Sequence, residues 1–275
     1  MPDDPMPDYE PMLAAYHEAF ADEIGAMVGS LPIREGDLVL ELACGDGAYT
    51  HRLAGRVGPS GSVVAVDLLM AYLRRASRDA RSGKIATRAG FVAASFDRLP
   101  FADGRFDVAW CAQSLFSLPE PVDSVRRMAR AVRPGGVVAV LEDDKLHQVL
   151  LPWPIEVELA VRAAEWRALR DESDHPAKFY VGRRLVGVFR EAGLVDVRAR
   201  TYAADRVAPL DGPTRTFLGE YLRGLRERVS PHLDPATRGH LDRLADPDSP
   251  EHLLDQPDFA VTLIDHVIHG RNPAG

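Results

Sequence analysis

The chain is expected to form an α/β fold: a doubly wound, mostly parallel sheet with helices on both faces. Three observations carry that expectation. Short continuous apolar runs, Leu38-Val39-Leu40 and Val63-Val64-Ala65-Val66 among them, alternate with stretches of helical period. Strands buried on both faces read as such runs, and parallel strands need crossover helices between them. The runs end in glycine, aspartate or serine, where ligands of open α/β sheets gather. Finally, 275 residues at 46% hydrophobic suffice for one large domain.

The elements follow in order. Residues 1–8 are rich in Pro and Asp and read as a disordered lead-in. Met12, Leu13, Tyr16, Phe20, Ile24 and Met27 recur at helical spacing over residues 9–28, before Gly29, Pro32 and Gly36 mark a loop. A strand over 38–42 runs into Ala43-Cys44-Gly45-Asp46-Gly47, and a helix follows at 49–57. Strand 63–67, helix 70–81 and a weaker strand at 90–94 come next. Strand 106–111, helix 121–132, the stop Pro134-Gly135-Gly136 and strand 137–141 repeat the rhythm. Beyond it lie helices at 154–169, 185–192, 214–229 and 235–244, with strands at 195–199 and 259–268. Residues 1–34 are read as an N-terminal helical segment or lid. Residues 35–275 are read as one domain, with helical insertions at 143–182 and 209–255.

Composition excludes several classes. With 41 acids against 33 bases, a net charge of −8, the footprint of a nucleic-acid binder is missing. The run Arg74, Arg75, Arg78, Arg81, Lys84 and Arg88 has no interleaved aromatics and fits a solvated helix face. No window approaches the ~18 apolar residues of a membrane span, and the acidic N-terminus is unlike a secretory leader. Cys44 and Cys111 are too few for a disulfide framework or a structural zinc site. A cytoplasmic, metal-free protein is expected.

The glycine loop and the acid after the second strand separate two cofactor classes. Gly45 and Gly47 allow close backbone approach. Asp67, 20 residues past Gly47, suits the two hydroxyls of a ribose. A dinucleotide fingerprint would need a third glycine where Thr50 stands, and no phosphate-binding G-x-x-x-x-G-K-[ST] occurs. With no Tyr-x-x-x-Lys pair either, a nicotinamide-dependent oxidoreductase is disfavoured. A nucleoside cofactor without a pyrophosphate remains.

Four segments then resemble, in order and spacing, the motifs of class I S-adenosylmethionine-dependent methyltransferases: Val39–Gly47 (VLELACGDG), Val64–Asp67, Leu99-Pro100-Phe101 with Phe106-Asp107-Val108, and Arg133-Pro134-Gly135-Gly136. The likeness spans residues 35–142 and is greatest to the subgroup of ubiquinone/menaquinone-biosynthesis and secondary-metabolite enzymes. It implies a seven-stranded sheet, S-adenosylmethionine as cofactor, S-adenosylhomocysteine as product, and a small, partly hydrophobic acceptor presenting O, N or C. It implies that Glu41 supports the loop and the methionine amino group. Ala43, Cys44 and Gly45 would present backbone to the methionine part, and Leu68 would lie beside the adenine. Ser95 and Phe96 stand where the adenine amine is held, Cys111, Ala112 and Gln113 close the methionine side, and Tyr16 reaches the pocket from the N-terminal helix. Ala43 replaces the usual first glycine, Ser95 the usual Asp, and Phe116 a common His.

The acceptor side is less defined. His147 and His175, in the insertion after the fifth strand, are the candidate general bases. One of Glu142, Asp143 and Asp144 could face the substrate or merely cap a helix. His17 reads as a surface or lid residue, and Trp153, Trp166, Phe179 and Tyr180 as core or as an aromatic substrate wall. The insertions would roof the methyl group or form a dimer interface. A protein that keeps the cofactor pocket for a regulatory or cyclising role is the alternative to transfer.

Overall fold

Alternation along each strand decides which helices cover which face. In β1 (Leu38–Leu42), Val39 points to one layer while Leu40 and Leu42 point to the other. In β4 (Phe106–Ala112), Val108 and Trp110 join Val39's side, and Ala109 and Cys111 the opposite side. All seven are at most 1% exposed, as a sheet covered on both faces requires. The structure, a computed structural model, describes residues 5–82, 89–118 and 120–274. Residues 1–4 of the lead-in and Lys84 and Arg88 of the basic run lie outside the described residues.

The remaining strands are β2 (Ser62–Asp67), β3 (Ala89–Ala93), β5 (Val132–Glu142), β6 (Val149–Leu150), β7 (Val195–Val207) and β8 (Ala260–Arg271). Their order is β3-β2-β1-β4-β5-β8, with β7 on the far edge of β8. The first five run parallel, and β8 is antiparallel to both β5 and β7. The sheet stays open. An eighth, two-residue strand joins the seven expected: β6 pairs Leu263 and Thr262, continuing the row that β5 leaves at His266.

One face is covered by α1 (Glu10–Ala19), α2 (Ala21–Gly29), α3 (Ala48–Val57), α6 (Ile155–Asp171), α8 (Gly212–Val229) and α9 (Pro235–Ala245). The other carries α5 (Pro121–Ala131) and α7 (Val181–Glu191), with Met128, Leu185 and Phe189 buried against it. Between them in sequence, α4 (Met70–Arg81) packs Leu73 on Ala65 at the β2 edge.

Four expectations on boundaries need correction. The helix over 9–28 is two helices, broken at Phe20 (φ −116°, ψ 29°), whose ring is nevertheless buried. The helix over 185–192 starts earlier, at Val181. The strand over 137–141 begins at Val132 and passes through Pro134-Gly135-Gly136, with a register irregularity against β4. The strand over 195–199 continues to Val207, because it pairs β8 along nearly its whole length. Among the described residues no helix is long and apolar enough to cross a membrane.

Candidate active site

The strand order reverses between β1 and β4, so the ends of β1, β2 and β4 surround a crevice. The loop after β1 fills its floor. Cys44 N–H donates to the Val66 carbonyl and Gly47 N–H to the Cys44 carbonyl, both at 3.0 Å. Asp67, at the end of β2, accepts from Gly45 N–H (2.9 Å) and Leu69 N–H (2.8 Å). It therefore braces the loop while facing the crevice, and burial holds its carboxyl above the usual range against those N–H donors. Glu41 lies behind the loop, 2% exposed, accepting from the Thr50 hydroxyl at 2.5 Å. Burial pushes its carboxyl up to about 8, opposed by the Thr50 hydroxyl and helped by the Asp46 and Asp67 charges.

Two non-glycine residues here adopt left-handed backbone: Ala43 (φ 54°) after β1 and Gln113 (φ 47°) after β4. Such conformations cost about 1–2 kcal/mol each and collect where a ligand is handled. Gly45 (φ 53°) lines the same cavity, and a Cβ placed on it would meet no atom within 4 Å. The space in front of its Cα is cavity.

That cavity measures about 660 Å³ and has two ends. The first is lined by Ala43, Cys44, Gly45, Asp46, Asp67, Leu69, Tyr72, Ala112 and Gln113. The second lies beneath α8 and α1 and is lined by Phe217, Tyr221, Tyr16, Asp143, Lys145, Gln148 and Asp265. The roof is aromatic: the Tyr16 and Phe217 ring centroids are 5.6 Å apart, and those of Phe20 and Phe217 are 5.7 Å apart. Three contacts seat α1 on the body. Tyr16 donates to Asp265 Oδ2 (3.1 Å), His17 Nδ1 lies 3.7 Å from Asp46 Oδ1, and Glu10 pairs with Arg75 of α4.

Of the residues singled out from the sequence, Tyr16, Ala43, Cys44, Gly45, Asp67, Ala112 and Gln113 line this one cavity. Glu41 and Cys111 sit behind it, buried. Leu68 is 62% exposed and its neighbour Leu69 lines the wall instead. Ser95 accepts from Asp97 N–H, and Phe96 packs into the core beside α5; neither is a lining residue. His147 and His175 are exposed and lie outside the cavity, His147 bonding Arg183 at 2.8 Å. Of the three acids after β5, Asp143 lines the cavity, paired with Lys145 at 3.4 Å. Glu142 accepts from Phe116 N–H (3.3 Å) and Leu115 N–H, and Asp144 pairs with Arg183. The aromatic residues Trp153, Trp166, Phe179 and Tyr180 pack into the core clusters and are not lining residues.

Sequence reasoning passed over Asp265. Its signal was present: Val261, Leu263 and Val267 face the core at alternate positions of β8, and Asp265 falls in the same row. It is 7% exposed, and burial pushes its carboxyl up to about 7, with the Asp143 charge adding and Tyr16 and Lys145 opposing.

Comparison with known proteins agrees with this geometry. Residues 39–136 match the family described as a methyltransferase domain. The chain is 28% identical over 232 residues to the 27-O-demethylrifamycin SV methyltransferase of Amycolatopsis mediterranei, covering 81% of this chain and 76% of that one. It is 38% identical over 120 residues to the ubiquinone/menaquinone biosynthesis C-methyltransferase of Ectopseudomonas mendocina, covering 43% and 46%. It thus spans about three quarters of the first relative's length and under half of the second's. Among solved structures, the phosphoethanolamine N-methyltransferase 2 of Haemonchus contortus with S-adenosyl-L-methionine aligns at a TM-score of 0.54. The identity there is 16%, covering 95% of this chain and 56% of that one, and shows likeness of fold.

Proposed function

We propose that this chain, a class I S-adenosylmethionine-dependent methyltransferase, methylates a hydroxyl group of a small, partly hydrophobic metabolite. The observation that carries the reading is the single roofed cavity, whose glycine-loop end suits the cofactor and whose far end joins aromatic walls to a few polar groups. A volume of 660 Å³ lies within the range of small-ligand sites. The rifamycin relative is named for methylation of a 27-O-demethyl substrate, which supports oxygen as the acceptor atom. A roof of helices α1 and α8 over an acidic chain of net charge −8 favours a small molecule over nucleic acid.

The cofactor fits the first end on two grounds. The space before Gly45 would be filled by a Cβ, and three acids, Glu41, Asp46 and Asp67, surround the loop where a ligand bearing cationic groups would rest. In this reading Asp67 holds the ribose, and the backbone of Ala43, Cys44 and Gly45 holds the methionine part. Tyr16, Ala112 and Gln113 close the space, while Leu69 and Tyr72 flank the base beside Asp67. When bound, the cofactor supplies a methyl carbon activated by its sulfonium charge. The chain's residues orient the acceptor, exclude water beneath α1 and α8, and receive the acceptor's proton.

Incubation with methyl-labelled S-adenosylmethionine and a panel of hydroxylated metabolites, starting with 27-O-demethylrifamycin SV, tests this. Label on an ether oxygen of any product supports it. Label found only on carbon or nitrogen, or saturable cofactor binding with no transfer across the panel, overturns it.

A further inference from the structure

We propose that Asp265 of β8 is the proton acceptor for the acceptor hydroxyl, held in position by Tyr16. The proposal rests on the hydroxyl-acceptor reading above and names the residue that serves it. Asp265 lies at the acceptor end of the cavity, on the row of β8 that faces inward between Leu263 and Val267. Tyr16 O–H occupies Oδ2 at 3.1 Å, and this is the one hydrogen bond to that carboxylate among the described residues. Oδ1 is left to accept from something in the cavity. A carboxylate oxygen that borders the cavity and has no protein donor can accept from a substrate hydroxyl.

Several neighbouring polar groups are engaged with the protein, whereas His17 and Tyr221 also line the cavity with ring and hydroxyl atoms that have no hydrogen-bond partner among the described residues. Asp143 receives the Lys145 ammonium at 3.4 Å and the Gln148 amide. The Lys145 ammonium also lies 4.1 Å from the Phe116 ring centroid. Tyr49 O–H is directed to Gln113 Oε1 at 3.4 Å. His147 and His175 are outside the cavity. The groups that bear electrostatically on Asp265 are Tyr16 on α1, Tyr49 on α3, and Asp143 and Lys145 after β5. Their balance, with burial, places its ionisation at about 7, where a general base works best near neutral pH. The step balances simply. The hydroxyl proton passes to Asp265, the oxygen electron pair forms the new bond to the methyl carbon, and the carbon–sulfur pair stays on sulfur. The proton then leaves to solvent when the product departs.

Binding of 2-naphthol and of its methyl ether to the protein saturated with S-adenosylhomocysteine reads this out without turnover. The wild type is expected to prefer the naphthol by about tenfold or more, the worth of a hydrogen bond to a charged acceptor. Asp265→Asn should abolish that preference and leave S-adenosylhomocysteine affinity unchanged. Equal binding of the two probes to the wild type, or a preference that survives Asp265→Asn, overturns the assignment. Should Asp265→Asn fail to bind S-adenosylhomocysteine, the wild type alone decides. Its preference should grow from about pH 5.5 to about pH 8.5 as the carboxylate ionises, and a flat profile overturns the assignment. Label reaching a hydroxyl acceptor with no naphthol preference would remove Asp265 while leaving the acceptor reading intact. A preference tied to Asp265 with label only on carbon or nitrogen would do the reverse.

Discussion

Asp67 braces the fold at the edge of the cavity, and the proposed ribose contact would give the same residue a second task. Its carboxylate takes two backbone N–H groups, from Gly45 and Leu69, and still borders the cavity. Asp67→Ala should therefore weaken S-adenosylhomocysteine binding by about 10- to 100-fold, measured by calorimetry, since a charged hydrogen-bond acceptor is worth about 1.5–3 kcal/mol. Gly45→Val should do more. Its side chain would project into the cavity, and φ 53° would cost about 1–2 kcal/mol of stability in a branched residue. Loss of detectable binding, with a modest drop in the denaturant midpoint, is the expected result. Both residues were legible in the sequence because glycine and a strand-terminal acid are rare local signals. Asp265 was not singled out, although an acid in the inward row of an apolar strand is as odd. Only the three-dimensional placement of α1 gives Asp265 its partner.

Elements buried on both faces were the easiest to find in the sequence, for a physical reason. β1, β2 and β4 are apolar at nearly every position because both sides meet helices, so each stands out as a run. β7 was legible only at its start. As the edge strand it carries Arg198, Arg200, Thr201, Asp205 and Arg206, and its extension to Val207 comes from pairing with β8. The break between α1 and α2 is equally silent, since the apolar stripe runs on through Phe20 with no Gly or Pro to mark it. Two predictions belong at this scale. A Cβ on Gly182, in the first turn of α7, would overlap the Asp143 carbonyl. Gly182→Ala should push the 143–145 segment into the acceptor end, lowering stability by about 1–3 kcal/mol and weakening naphthol binding more than S-adenosylhomocysteine binding. Phe217, 6% exposed between Tyr16 and Phe20, pins α8 to α1. Phe217→Ala should cost about 3–5 kcal/mol and speed proteolysis within residues 5–20, seen by urea titration and limited digestion.

Over the whole molecule, buried acids set the response to pH. Glu41 and Glu142 are raised to about 8 and Asp265 to about 7, chiefly by burial. Each folded-state value exceeds the unfolded one of about 4, so the folded protein binds the extra protons. Stability from these groups is present below pH ~4 and is lost as pH rises through ~7–8. The unfolding free energy from urea titration should fall between about pH 4 and about pH 8, by up to about 1.4 kcal/mol per pH unit for each proton held, and Glu41→Gln should flatten the slope. Rising stability between about pH 5 and about pH 8 would contradict the burial assigned to these carboxyls. One further consequence follows from the Tyr16–Asp265 bond, which joins positions 249 apart in sequence. Translation delivers the glycine loop and Asp67 early, and Asp265 emerges about 200 residues later, roughly 10–40 s at ordinary elongation rates. During that interval a nascent chain owns the nucleoside end of its cavity but has no wall to judge an acceptor. In the proposed role of Asp265, acceptor selectivity is thus acquired well after the nucleoside end, once β8 has been synthesised.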